Sequence, residues 1–285
     1  MTVVLVTGAN SDIGIATVKR LGERRVTVVG TVRSEESEQR LRDAMGAGGG
    51  PPGWLSIERL DVGDIGAGAA LMKKCRPDVL VNNAGATLLG AVADVDFGEA
   101  EAQFRSTVLG PVFLARNAVA AGSCTRVVNI GSVVAEGVIP FTGWYGASKA
   151  ALDVISDVWR VEAGPIGLEI VTVECGAIGT DVWDRAGDEV ADDGGASTAV
   201  ARQRWANLTD LAKSQFGDPE EVAEAIVRAA LDPDPQPVVR VGFGARSIPM
   251  AAFLPRQLRE PLTKAIFGLH DGLLARWSPR GTESD

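Results

Sequence analysis

Short runs of β-branched residues recur along this chain, each followed by a longer stretch whose apolar residues return at helical spacing. Such a chain has few ways to bury itself. Repeated strand–helix units wind around a parallel sheet, because parallel neighbours need a long crossover that a helix supplies. Val3–Thr7, Val26–Val32, Leu55–Leu60, Asp78–Val81, Val127–Ile130, Glu169–Val173 and Pro237–Val241 read as seven strands. Ile15–Gly22 reads as the first helix, and Arg33-Ser34-Glu35-Glu36 opens a second with acids in its first turn. Gly98–Ala121 and Trp144–Ala163 read as two long helices, Gly46–Gly53 as a loop. Asp218-Pro219-Glu220-Glu221 starts a further helix, an N-cap followed by proline at the first helical position.

No repeat and no linker divides the 285 residues, so a single domain over 1–285 is expected. The strand rhythm lapses over 180–215, which predicts a substrate lid there, and 245–285 predicts a helical C-terminal extension over the pocket. A net charge of −9 repels phosphate backbones and anionic bilayers, against nucleic acid and membrane surfaces as partners. The single histidine, His270, leaves little from which to build a hydrolase triad or a histidine metal site, so no metal is expected. Cys75, Cys124 and Cys175 show neither disulfide nor zinc spacing and read as buried thiols of a reducing compartment. With no leader-like opening and no long apolar span, a cytoplasmic protein without membrane insertion is expected.

In a parallel sheet, ligands sit beyond the carboxyl ends of the strands. Gly8, Asp61, Asn83 and Ser132 all lie just past strand ends and so share one rim. A strand, a glycine turn and a helix start at Gly8–Gly14 gather free N–H groups and a helix dipole, an anion site. The plainer alternative is a turn that merely tightens a connection. In Tyr145-Gly146-Ala147-Ser148-Lys149 the phenol and the ammonium stack one helical turn apart, and Tyr145 is the only tyrosine. A free tyrosine ionises near pH 10, and a neighbouring positive charge pulls that value down. The plainer alternative is a surface tyrosine beside a surface lysine, although Ser132 offers a hydroxyl thirteen residues upstream.

Together these residues resemble the short-chain dehydrogenase/reductase family, in its single-domain branch, from about Val3 to Gly244. The glycine turn is Thr7-Gly8-Ala9-Asn10-Ser11-Asp12-Ile13-Gly14, the N-N-A-G strand end is Asn82-Asn83-Ala84-Gly85, and the D-V pair is Asp61-Val62. Ser132, Tyr145 and Lys149 match the family's serine and Y-x-x-x-K. The resemblance implies a Rossmann-like doubly wound α/β sheet and a nicotinamide cofactor held by Gly8, Asn10, Ser11, Asp12, Ile13, Gly14, Asp61, Val62, Asn83, Ala84, Gly85, Tyr145 and Lys149, with Gly176, Ile178 and Thr180 beside the nicotinamide. It implies Tyr145 as general acid or base, Ser132 as hydrogen-bond donor to the substrate oxygen, and Lys149 on the ribose and beside the phenol. Moving the phenol by three pH units takes about 4 kcal/mol, to be shared by Lys149 and an oxidised nicotinamide. Where NAD-type relatives carry an acid after the second strand, this chain has Arg33. A guanidinium grips a 2′-phosphate, so NADP(H) is expected over NAD(H); the alternative is a solvent-facing arginine.

Three positions depart from the family. Asp12 replaces the middle glycine of the turn, where an acid suits the helix dipole and repels a pyrophosphate. Thr107 stands where relatives carry an asparagine that completes the catalytic set, and Cys175 stands where they carry a proline. Either the proton path survives with threonine, through a backbone carbonyl, or the site is slower or repurposed. Cys175 is expected to be an inert buried thiol. Val138, Ile139, Phe141, Trp144, Trp183 and Trp205 are expected to line an apolar pocket for a bulky steroid-, retinoid- or polyketide-like ketone or alcohol, or else to be core. Relatives pair through the two long helices, which implies a homodimer or homotetramer. Three activities stay open: a ketone reductase or alcohol dehydrogenase, a non-redox epimerase, dehydratase or cyclase, and a cofactor-sensing binding protein.

Overall fold

A computed structural model describes residues 1–46, 51–180, 216–267 and 269. Seven strands form one wholly parallel sheet: β1 (Val3–Val6), β2 (Thr27–Val32), β3 (Leu55–Arg59), β4 (Val79–Asn82), β5 (Arg126–Ser132), β6 (Glu169–Cys175) and β7 (Val238–Val241). The spatial order is β3-β2-β1-β4-β5-β6-β7. Chain direction across the sheet reverses between β1 and β4, which opens a crevice at their carboxyl ends. The expected strands agree with these to within two residues at each end.

Side-chain alternation sorts the core into two layers, since successive strand residues face opposite sides. Val4, Val6 and Val28 point to the face covered by α1 (Asp12–Glu23), α2 (Glu35–Ala44) and α7 (Pro219–Leu231). Leu5, Val29, Leu80 and Val127 point to the other face, covered by α3 (Ile65–Cys75), α5 (Gly110–Ala120) and α6 (Gly143–Ala163). Both faces are covered, so the central strands are largely apolar, as parallel sheets require, with a few buried polar residues such as Asn82 and Asn129. Arg126 at the start of β5 is buried, pairs with Glu169 and donates to the Ala229 and Ala230 carbonyls (3.3 and 2.9 Å). It thereby satisfies orphan acceptors at the end of α7.

The stretch read as one helix over 98–121 is two. α4 (Phe97–Phe104) passes into α5 through a π turn over Arg105–Leu109, closed by the Gly110 amide on the Arg105 carbonyl. One extra residue in the turn re-aims the side chains that follow it, and Thr107 sits at its middle. From residue 245 on, the described residues hold two helices, α8 (Ser247–Ala251) and α9 (Arg256–Ile266). The expected lid lies outside the described residues except for Thr180. Among the described residues no helix is long and apolar enough to cross a membrane.

Candidate active site

The turn after β1 is built around two glycines that admit no side chain. Gly8 takes φ +64°, and a Cβ there would stand 2.8 Å from the Ala84 Cα. A Cβ on Gly14 would stand 2.3 Å from the Gly8 carbonyl oxygen. Ser11 caps α1: its hydroxyl accepts from the Gly14 amide and donates to the Gly8 carbonyl, both at 3.0 Å. Asn83, just past β4, fixes the turn from the other side. Its side-chain amide donates to the Thr7 and Gly8 carbonyls (both 3.0 Å) and to Ser11 Oγ (3.2 Å). Thr7 Oγ1 returns the grip, accepting from the amides of Asn83 and Ala84 at 3.0 and 2.9 Å. The result is a glycine cradle at a helix N-terminus, opening on a cavity through Ser11, Asp12 and Ile13. Backbone this close and this free of side chains fits the diphosphate of a dinucleotide. Asp12, the apparent misfit, is paired with Arg40 of α2 at 2.7 Å, which offsets its charge.

Arg33 is exposed at the end of β2 and makes no ion pair among the described residues. Ser34 begins α2 beside it, its hydroxyl accepting from the Ser37 amide. Asp61 accepts from the Gly63 amide at 2.8 Å, holding the turn after β3, while Val62 is buried against the sheet.

Ser132, Tyr145 and Lys149 meet on one cavity of about 230 Å³, together with Asn83, Gly85, Gly176, Ile178 and Thr180. Lys149 is buried, donates to the Ile130 carbonyl at 2.7 Å, and sits 5.9 Å from the centre of the Tyr145 ring. Ser132 is placed by the last residue of β5, and Tyr145 and Lys149 by successive turns of α6. Thr107 does not line the cavity but stands behind it. Its Oγ1 and Lys149 Nζ each lie 4.0 Å from where a Gly85 Cβ would be. Gly8, Asn10, Gly14, Ala84, Arg33, Asp61 and Val62 are also off the lining, the first three as parts of the turn, Ala84 just past β4 against Gly8, and the last three toward the far edge of the rim.

The expected apolar lining needs correction. Ile139 lines the cavity, with Val133, Val134 and Ile248, whereas Val138 is 55% exposed and off the lining. Phe141 is off the lining as well: it adopts φ +67°, and its carbonyl accepts from the Gly90 amide at 2.8 Å, tying two rim loops together. Trp144 turns outward, edge-on to Phe97 and Phe104, with its indole N–H on the Val92 carbonyl at 3.2 Å. Trp183 and Trp205 lie outside the described residues. Cys175 does reach the cavity, and burial pushes its thiol up to about 12, which keeps it protonated and inert.

Sequence reading passed over a buried polar frame beneath the site. Asn82 donates to Asn129 Oδ1 at 2.8 Å across the β4–β5 register, Asn129 donates to Ser156 Oγ at 2.8 Å, and Ser156 donates to the Leu152 carbonyl at 2.7 Å. The signal was present, an asparagine inside the apolar run Val127–Ile130.

The fold agrees with comparison to known proteins. The short chain dehydrogenase family profile matches residues 2–191. The chain is 31% identical over 268 residues to 17-beta-hydroxysteroid dehydrogenase type 1 of Mus musculus, covering 88% of this chain and 76% of that one. It is 31% identical over 236 residues to the 3-oxoacyl-acyl-carrier-protein reductase FabG of Vibrio harveyi, covering 79% and 88%. Among solved structures, a short-chain dehydrogenase from Streptomyces avermitilis superposes with a TM-score of 0.73 at 28% identity, covering 92% and 95%. The chain belongs to the short-chain dehydrogenase family, the NAD(P)-dependent oxidoreductases.

One ionisable group stands apart from the matched motifs. Asp153, one turn beyond Lys149 on α6, has its carboxyl pushed up to about 7 by burial first and by Glu174 second, against the pull of Lys149. Between its ordinary value of 3.8 and about 7 the folded chain binds more protons here than the unfolded chain does. Stability therefore falls as pH rises through that window and is level above it. Asp153→Asn removes the penalty: its thermal midpoint is expected to exceed the parent's near pH 8 and to match it near pH 4. Equal midpoints at both, by scanning calorimetry, contradict the assignment.

Proposed function

We propose that the chain interconverts a ketone and a secondary alcohol on a bulky apolar substrate, using NADP(H). The observation that carries this reading is the convergence of Ser132, Tyr145 and Lys149 on one cavity, beside a glycine cradle that fits a dinucleotide. The Gly8–Gly14 turn would hold the diphosphate, Lys149 the nicotinamide ribose, and Gly176, Ile178 and Thr180 the nicotinamide side of the cavity. When bound, the cofactor supplies or accepts the hydride at the reacting carbon. Tyr145 passes a proton to or from the substrate oxygen at its phenol Oη, and Ser132 holds that oxygen with its hydroxyl. Lys149, anchored on the Ile130 carbonyl, holds its ammonium 5.9 Å from the centre of the Tyr145 ring. Ile139, Val133, Val134 and Ile248 supply the apolar wall. The two relatives are named for a hydroxysteroid and a 3-oxoacyl group. Both names describe an alcohol or ketone on an apolar skeleton, in keeping with that wall.

NADP(H) is favoured because Arg33 is exposed at the strand end, unpaired with any acid among the described residues, and set for a 2′-phosphate. A second copy of the chain is proposed as the partner. Val154, Val158 and Val161 lie at helical spacing along one stripe of α6 and are all exposed, which suits helix pairing between two protomers.

Three measurements test these readings. With a panel of bulky ketones and NADPH, Tyr145→Phe should lower turnover by about a hundredfold or more while NADPH still binds by fluorescence titration; undiminished turnover refutes the proton-transfer role, and an inert parent refutes the reductase reading. Arg33→Ala should weaken NADPH binding about tenfold or more and leave NADH unchanged, since a charge-assisted hydrogen bond contributes about 1.5–3 kcal/mol; parallel changes in both cofactors refute the preference. Val158→Glu should convert a dimer or tetramer to monomer in light scattering; an assembly of unchanged mass sends the contact elsewhere.

A further inference from the structure

Behind the cavity lies a cluster of polar side chains that the matched motifs do not use. Gln103 on α4 is 3% exposed, Thr107 in the π turn 1%, and Ser148 on α6 is wholly buried. The Gln103 amide nitrogen donates to Thr107 Oγ1 at 2.7 Å and to Ser148 Oγ at 3.2 Å. Ser148 in turn donates its hydroxyl proton to the Tyr145 carbonyl at 2.7 Å. That proton being used, the Ser148 oxygen can only accept from Gln103, so the nitrogen end of the amide must face the two hydroxyls. The oxygen end, Oε1, is buried and meets no donor among the described residues.

An amide with one end unpartnered is costly inside a protein, and an apolar residue of similar size would fill the same space without that cost. Its two donated bonds join two elements that also pack against each other. One is the π turn that carries Thr107; the other is the turn of α6 that carries Tyr145, Ser148 and Lys149. Thr107 Oγ1 also borders Gly85 on the side where Lys149 Nζ comes in. Because Thr107 accepts from Gln103, its own proton is directed away from the amide. The resemblance places an amide-bearing asparagine at 107; here an amide reaches the same spot from one helical turn earlier.

We propose that Gln103 is a positioning residue for proton transfer, whose amide clamps the Thr107 and Ser148 hydroxyls and so holds Tyr145 and Lys149 in their working register. The proposal rests on the reductase reading for its kinetic consequence but not for its structural one. Loosening the clamp lets the ammonium move away from the phenol, 5.9 Å from its ring centre in the intact site, and a retreating positive charge raises the pH at which a phenol ionises.

The chain's single tyrosine makes this directly readable, since the pH midpoint of tyrosinate absorbance reports Tyr145 alone, with no substrate or cofactor present. In Gln103→Leu that midpoint is expected to rise, and turnover with a ketone and NADPH to fall about tenfold with KM and NADPH affinity nearly unchanged. Adding Thr107→Asn to Gln103→Leu should restore both readouts, because an amide returns to the cluster. Should Gln103→Leu fail to fold, Thr107→Val removes one arm of the clamp and is expected to shift the midpoint in the same direction. A lowered thermal midpoint with the tyrosinate midpoint unmoved, or no rescue by Thr107→Asn, overturns the proposal and leaves Gln103 a packing residue. A parent inert to every ketone overturns the reductase reading instead, and the tyrosinate midpoints still decide the role of Gln103.

Discussion

The side-chain amide of Asn83 holds the crevice between β1 and β4 in shape. One nitrogen serves three acceptors of the glycine turn, and Thr7 answers with a hydroxyl that receives two amides from the end of β4. Two glycines lower the barrier to other conformations of the turn as much as they permit this one, and the Ser11 hydroxyl holds it only from within. Hydrogen bonds from a neighbouring strand end remove that freedom. The cradle is thus preformed by protein groups, and a ligand arriving there need not organise it.

The same logic governs the other side of the crevice. α6 carries the phenol and the ammonium, and its orientation is set by polar pins, not by apolar packing alone. Ser156 is pinned through Asn129 to Asn82, Lys149 to the Ile130 carbonyl, and Ser148 through Gln103 to Thr107. A buried donor or acceptor left unpaired costs about 1–3 kcal/mol, so sliding or rotating the helix breaks several at once. Apolar contacts would tolerate such a shift, and directional bonds do not.

Charge is arranged with comparable economy around an acidic chain. Asp12 at the cradle is balanced by Arg40, and Glu174 under the site is balanced by Arg240, which also reaches Glu136. Asp153 sits in the field of Glu174, Glu136 and Asp157 on one side and Lys149 on the other, and burial decides its state. Near neutrality that carboxyl is therefore about half protonated.

Strands and most helices were legible because period two and period 3.6 are local properties of a chain, and the order of motifs along it places them on one rim. The doubly wound sheet, the glycine turn and the triplet Ser132, Tyr145 and Lys149 were readable on that ground. The π turn at Arg105–Leu109 was not, since one inserted residue leaves the apolar rhythm nearly intact while rotating everything after it. Nor was the fate of the apolar residues near the cavity: Trp144 is as apolar pointing at Phe97 and Phe104 as it would be pointing at a substrate. Residue types and spacings determined which groups this protein brings to its rim. Which of them face the cavity, and which buried amides hold them there, was decided only in three dimensions, because those choices depend on contacts between segments far apart in the chain.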